Sequence, residues 1–491
     1  MTSPATVPRR SAAPAIETEN PAPPRLSRGL LVKRALPFVL ALGIAFSPVP
    51  AGLTTPAWHL FAVFVSAITA VLIGAFPLLT STTLAVAAVV ITGTISPAKA
   101  FAGFANTSVL LVVVAFLVAQ AVVKSGLGQR ISLFMVSRFG RSSMGLAYSI
   151  VLTDAAIAPA FPSNTARGGV LFPIVLSVAR GSGSLPESPE GRRLGGYLMF
   201  CGMASLAVSS ALWMTATSAN PIAVQVAKEY GFEVGFGKWL IAACVPALVA
   251  IVTLPWLLAR LFPPGVGETP EAPAAARKAL ADLGSLSRDE WITAVAFVSM
   301  VVGWIFADRL HLNVTSIAFG GLGVLLMTGV LTAKDIATQG DTLATFLWLA
   351  VLFALSTQLN ELGFMGYAGQ RLASHMGGLP WPVTYVALLL IYVAIHYMFV
   401  SQSSQVLALL GVFLDVGIRG GVPIPLMAFS LFFASSYFSV ITPQGGSQNV
   451  IFVGSGYLTQ RELYRLGLLT TLYFLAVYLV IGTPWLLLVG H

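Results

Sequence analysis

Long apolar stretches, some broken midway by a short polar cluster, set the limits on what this chain can fold into. Eleven segments carry almost no charge: 35–47, 57–75, 77–95, 105–123, 194–226, 239–259, 291–308, 314–331, 342–360, 426–454 and 466–488. Most approach the ~20 residues that the hydrocarbon core of a bilayer demands of a helix. Two further apolar regions, 143–179 and 383–414, are interrupted by Pro162-Ser163-Asn164-Thr165 and by Ser401-Gln402-Ser403-Ser404-Gln405. Backbone that leaves the helix at membrane depth survives only where protein or a water-filled cavity satisfies it. Both regions are therefore expected to be re-entrant helical hairpins whose tips mark a site. The fold class expected is an all-α polytopic membrane protein with about eleven spans and two such hairpins.

Composition agrees. The chain is 56% hydrophobic and 9% charged, where soluble chains carry roughly 25% charged residues. Its mean hydropathy is +0.86. A β-barrel would show short alternating segments instead. The net charge of +9 is read as basic loops on one side of a membrane and not as a nucleic-acid surface. Cys201 and Cys244 lie in apolar spans, so neither a disulfide nor a metal site is expected. Residues 1–28 lack an apolar run and read as a disordered tail without a cleavable signal.

The two halves of the chain repeat one order of features. Gly128-Gln129-Arg130 in the first half and Gly369-Gln370-Arg371 in the second each follow an apolar span and precede a polar-interrupted hairpin. Each hairpin is followed by a span with its own polar break, WMTATSANP at 213–221 and VITPQGGSQN at 440–449. Five full spans separate the two Gly-Gln-Arg segments, an odd number, so the repeats are expected to face opposite sides of the membrane. With the N-terminus cytoplasmic, 20 of the 27 Lys and Arg fall on cytoplasmic segments and 6 on external ones, in line with the positive-inside tendency. Inverted repeats with broken helices are the mark of secondary transporters. The organisation expected is a tail (1–34), N-terminal scaffold helices (35–95), a first repeat (96–226), connecting helices with the hydrophilic loop 260–290 (227–340), a second repeat (341–454) and a C-terminal segment (455–491).

The polar breaks contain Ser, Thr, Asn, Gln and Gly and no carboxylate. Hydroxyls, amides and the freed N–H groups of a half-helix start are donors at the positive end of a helix dipole. Two such tips suit an anionic substrate. Arg167 lies within the first hairpin, where an arginine costs about 2.5 kcal/mol or more and lines a cavity or pairs. Asp154 on the same hairpin is a candidate partner. His396, close to Ser401, is either hydrogen-bonded structure or a titrating group. The sequence shows no nucleophile-and-base constellation, so an enzyme is not expected.

The motifs PSNTARGGVLFPIV (162–175), TATSANPIA (215–223), HYMFVSQSSQ (396–405) and TPQGGSQNVIFVGSGY (442–457) resemble those of the divalent-anion/sodium symporter family. The resemblance runs from about residue 35 to the C-terminus. It is greatest to the branch of 2-oxoglutarate/malate translocators and citrate/succinate antiporters. It implies a homodimer in a bacterial plasma membrane, with a transport domain moving elevator-fashion against a scaffold domain. It also implies that the hairpin tips grip substrate carboxylates. Carried over, the site residues are Ser163, Asn164 and Thr165 at the first tip, and Thr215, Ala216 and Thr217 at the nearby break. Ser401, Gln402 and Ser403 form the second tip, and Thr442 and Pro443 the second break. The symporting members hold sodium at the tips, which here would fall near Ser163 and Asn164. The second tip departs from Ser-Asn-Thr, which favours exchange with Arg167 or His396 as fixed charge compensation. Sodium-coupled symport, transport of another oxyanion such as sulfate, and a channel are the rivals.

Overall fold

The computed structural model describes residues 28–188, 191–375, 378–399 and 401–490. Of the expected N-terminal tail, residues 1–27 lie outside the described residues. The first helix, α1 (Arg28–Ala45), begins earlier than the apolar run and takes in Arg28, Lys33 and Arg34.

The first half continues with α2 (Thr55–Leu72), α3 (Leu78–Ile91), α4 (Thr107–Ser125), α5 (Leu127–Phe139), α6 (Ser143–Ile157), α7 (Asn164–Gly181), α8 (Arg192–Leu212) and α9 (Ala219–Glu229). Then come α10 (Phe236–Leu261), α11 (Glu271–Asp282), α12 (Arg288–Ile305) and α13 (Val314–Met327). The second half has α14 (Gly340–Glu361), α15 (Phe364–His375), α16 (Trp381–Ile395), α17 (Gln402–Arg419), α18 (Ile424–Tyr437), α19 (Ser447–Val453), α20 (Gln460–Val477) and α21 (Thr483–Val489). Among the described residues the fold is helical, with no strand beyond one isolated bridge. Eight helices are long and apolar enough to cross a membrane, and three shorter apolar helices accompany them.

Both expected hairpins are broken where the polar clusters stand. In the first, Pro159 lies in a 3-10 turn, Ala158–Ala160, that ends α6. Pro162 follows, and proline neither donates to a helix nor fits its interior. The chain re-enters the helix at Asn164 because Ser163 is extended and its Oγ accepts from the Ala166 N–H at 3.2 Å. In the second, a 3-10 turn at His396–Met398 ends α16, and Ser401 caps α17 by accepting from the Ser404 N–H at 3.4 Å. The regions 194–226 and 426–454, read as single long spans, are each two helices. They are interrupted at 213–218 and 438–446.

The halves interlock reciprocally. Helix α3 packs on α14, and α13 packs on α4. Likewise α7 packs on α19, and α17 on α9. Each hairpin thus seats its second arm against the broken helix of the other half.

The segment 260–290 is more than a linker. Its alanine-rich stretch EAPAAARKALAD forms α11, as its composition favours, and lies along α5. The Arg130 guanidinium binds Glu290 at 2.6 Å and the Gly284 carbonyl at 3.0 Å. Thr269 N–H donates to the Arg141 carbonyl at 2.9 Å. The Gly-Gln-Arg helix of the first half is therefore a docking surface for this segment.

Candidate functional site

The reciprocal packing brings four polar interruptions to one place. A cavity of about 330 Å³ is lined by Ser163, Asn164 and Thr165 from the first tip and by Ser401, Gln402, Ser403 and Ser404 from the second. Thr217 and Ser218 come from the first break, and Gly446, Ser447 and Gln448 from the second. Ile68, Val71, Phe116, Trp348 and Leu349 wall its apolar side. Among the described residues, no carboxylate lines it.

The two breaks are built alike. Asn220 Nδ2 donates to the carbonyls of Ser210 at 2.7 Å and Trp213 at 3.1 Å. Asn449 Nδ2 donates to those of Ser439 at 2.6 Å and Thr442 at 2.9 Å. In both, the amide bridges carbonyls orphaned where the preceding helix ends, which keeps the break open without leaving bare acceptors. The breaks then meet the opposite tips. Ser218 and Ser403 share a hydrogen bond at 2.9 Å, and Thr165 and Ser447 share a short one. Across the middle, Asn164 Nδ2 donates to Gln402 Oε1 at 3.3 Å.

Asn164 is oriented from behind. Its Oδ1 accepts from Arg167 Nη2 at 2.8 Å and from Ser210 Oγ at 2.6 Å. Arginine has only donors, so the amide oxygen must face Arg167 and the NH2 must face the cavity. Arg167 also donates to the Leu206 carbonyl at 2.9 Å, and its Nε lies 3.0 Å from Asp154 Oδ1. Ser209 holds the other Asp154 oxygen at 2.6 Å. Both charged residues are 0% exposed.

Arg167 and His396, expected to face the substrate as fixed charges, do neither. Arg167 stands behind Asn164 with its charge met by Asp154, because an unpaired charge in this interior is far more costly than a paired one. His396 is buried, with Nδ1 2.6 Å from Gln405 Oε1 and Nε2 2.8 Å from the Gly445 carbonyl. It ties the second tip to the second break.

Of the other expected residues, Ser163, Asn164, Thr165, Thr217, Ser401, Gln402 and Ser403 line the cavity. Thr215, Ala216, Thr442 and Pro443 are not among the lining residues. Thr215 Oγ1 is turned to the Pro159 carbonyl at 2.9 Å, and Ala216 N–H closes a turn on Trp213. Thr442 and Pro443 sit midway along the second break, whereas the cavity meets the place where the helix restarts, at Ser447. Ser218, Ser404, Gly446, Ser447 and Gln448 were missed. A signal for three of them was present: both breaks carry Ser-x-Asn, Ser218-Ala219-Asn220 and Ser447-Gln448-Asn449.

The arrangement offers hydroxyls, amides and the N-termini of α7 and α17, each with a partial charge of about +0.5. That is the chemistry of an anion site in a broken-helix carrier. Residues 28–491 match the family described as the sodium:sulfate symporter transmembrane region. The chain belongs to this family. It is 34% identical over 467 residues to a chloroplastic dicarboxylate transporter 2 of Spinacia oleracea, covering 93% of this chain and 83% of that one. It is 30% identical over 483 residues to the citrate/succinate antiporter of Escherichia coli K12, covering 94% and 98%. The crystal structure of the Alcanivorax borkumensis YdaH transporter, described as having an unusual topology, aligns with a TM-score of 0.53 at 15% identity. It covers 94% of this chain and 96% of that one, and it supports the fold alone. The protein is a polytopic membrane transporter of this family.

Proposed function

We propose that the chain is a secondary active transporter that exchanges dicarboxylates or tricarboxylates, of the malate, 2-oxoglutarate, succinate and citrate class. The observation that carries this reading is the cavity between the two hairpin tips. It is donor-rich, free of carboxylates and flanked by two helix N-termini. The names of the relatives support the substrate class, and that of the Escherichia coli antiporter supports exchange.

The physical basis for exchange shifts with the geometry. Arg167 supplies no charge to the cavity. Instead, Gln402 holds a buried amide nitrogen without a hydrogen-bond partner among the described residues. An unsatisfied buried donor costs roughly 1–3 kcal/mol. A bound anion satisfies such donors, so the loaded site moves through the membrane more readily than the empty one. The protein works as a homodimer in a plasma membrane. Its N-terminus is cytoplasmic, the two repeats are inverted, and the hairpins ride on the moving domain.

The test is uptake of labelled malate into proteoliposomes. Vesicles loaded with unlabelled dicarboxylate should take up label fast, with or without sodium. Empty vesicles should take up little, even with an inward sodium gradient. Accumulation in empty vesicles driven by sodium would establish symport instead. Competition by sulfate, but not by succinate or citrate, would overturn the substrate class.

A further inference from the structure

The second helix break carries a polar side chain that the first lacks. The shared Ser-x-Asn pattern and the matched asparagine bridges put Gln448 where the first break has Ala219. Gln448 lines the cavity, is 1% exposed, and its Nε2 has no hydrogen-bond partner among the described residues. Two glycines admit it. A Cβ at Gly446 would come within 2.5 Å of Gln448 Nε2, closer than real side chains approach. One at Gly168 would come within 3.1 Å of Gln448 Cβ. The side chain therefore lies folded over the second break, with its root against α7, the arm that starts at the first tip.

This placement has a chemical consequence. A carboxylate at the first tip is met by Asn164 and by the N-terminus of α7. Gln448, on α19 with its Cβ beside that arm, lines the same cavity as this tip. We propose that Gln448 is a specificity-determining residue that donates to an oxygen on the carbon adjacent to one carboxylate. This rests on the carboxylate reading above and names the substrates the site prefers. A keto oxygen only accepts, so it suits a free N–H best. A hydroxyl also accepts but must place its own proton. An unsubstituted carbon leaves the donor bare, and sites built around a hydrogen bond reject analogues that lack it. The order expected is 2-oxo, then 2-hydroxy, then unsubstituted dicarboxylate.

The experiment is competition against labelled succinate exchange in proteoliposomes, using the matched pairs 2-oxoglutarate with glutarate and malate with succinate. For the unaltered protein, 2-oxoglutarate should inhibit at about tenfold lower concentration than glutarate, the worth of one hydrogen bond. Gln448→Met fills the same space without the amide, and should bring that ratio to within about twofold while exchange continues. Gln448→Asn, which withdraws the amide by one methylene, should lose part of the preference and serves if the methionine variant does not insert. Because the readout is a ratio within one variant, expression level does not enter it. Equal weakening toward all four acids, or an unchanged ratio, would overturn the role of Gln448. If the unaltered protein exchanges none of the four, the carboxylate reading itself fails.

Discussion

The two hairpins present the same kind of tip but secure it with different chemistry. In the first, the residue four positions after the capping serine is Arg167, and it is held by Asp154 across the hairpin at 3.0 Å. In the second, the matching position is Gln405, whose Nε2 donates to the Tyr392 carbonyl at 2.9 Å and whose Oε1 meets His396 at 2.6 Å. Tyr392 stands where the first hairpin has Asp154. One hairpin is closed by an Arg-Asp pair and the other by the Gln405 amide, bridging His396 and the Tyr392 carbonyl. What the tips have in common is that both arms are clamped just behind the residue that faces the cavity. The arginine is thus a clamp and an orienter of Asn164, and what lines the cavity is neutral donors and helix ends.

The comparison is broken most severely by leaving the charge unpaired. Asp154→Ala strands Arg167 in the interior and should cost about 3–5 kcal/mol. Gln405→Ala should cost about 1–3 kcal/mol. Thermal unfolding in detergent, with the yield of monodisperse protein, reads both. The double change Asp154→Asn with Arg167→Gln replaces the ion pair of the first hairpin by two amides, and should recover much of the loss seen for Asp154→Ala. No recovery would mean that the charge has a further task.

Next in size is the contrast between the two tip amides. Asn164 is held on three sides, whereas the Gln402 side chain is bonded by Asn164 alone among the described residues. Asn164→Ala should lower exchange about ten- to a hundredfold while the protein stays folded, as expected for losing a hydrogen bond to a charged group. Gln402→Ala should lower it by less than about tenfold. Initial rates over a range of substrate concentrations distinguish these outcomes, and equal losses would deny the rigid-against-loose contrast.

Smaller again is Ser210→Ala, which removes one of two donors to Asn164 Oδ1 and leaves the ion pair in place. About 1 kcal/mol, or roughly fivefold in the apparent KM, is expected, with little change in melting temperature. The smallest effect belongs to the contact of Arg130 on α5 with Glu290 at the start of α12. Glu290 is held below the ordinary carboxylate range, chiefly by the hydrogen bond from Arg130. Its share of stability is therefore present above the usual glutamate pKa and is lost as the pH falls through the lowered value. Arg130→Ala should speed proteolysis within 271–290 at neutral pH and leave exchange within about twofold.

Much of this was legible in the sequence. The polar clusters that interrupt 143–179 and 383–414 forecast both tips. The grouping of both tips at one site followed from the repeat. Three things depended on quantities that a sequence does not show. Where a broken helix restarts decides which of its residues meet the cavity, and that phase separates Ser447 and Gln448 from Thr442 and Pro443. Whether Arg167 faces substrate or Asp154 depends on which side of α7 is walled by α8, although both choices were visible. Residues 260–290 read as a hydrophilic connector because their helix hides only Pro273 and Ala276, too little apolar surface to stand out.

The central claim is that the tip of each hairpin closes against the broken helix of the other half to make one anion site. It is tested most directly by cysteine pairs in a background carrying Cys201→Ala and Cys244→Ala. Ser218 with Ser403, and Thr165 with Ser447, are each in hydrogen-bond contact. With both members of a pair changed to cysteine, mild oxidation should join them, an added dicarboxylate should slow the joining, and exchange should stop until a reductant restores it. Pairs that fail to join, or that join at a rate indifferent to every dicarboxylate offered, would contradict the account.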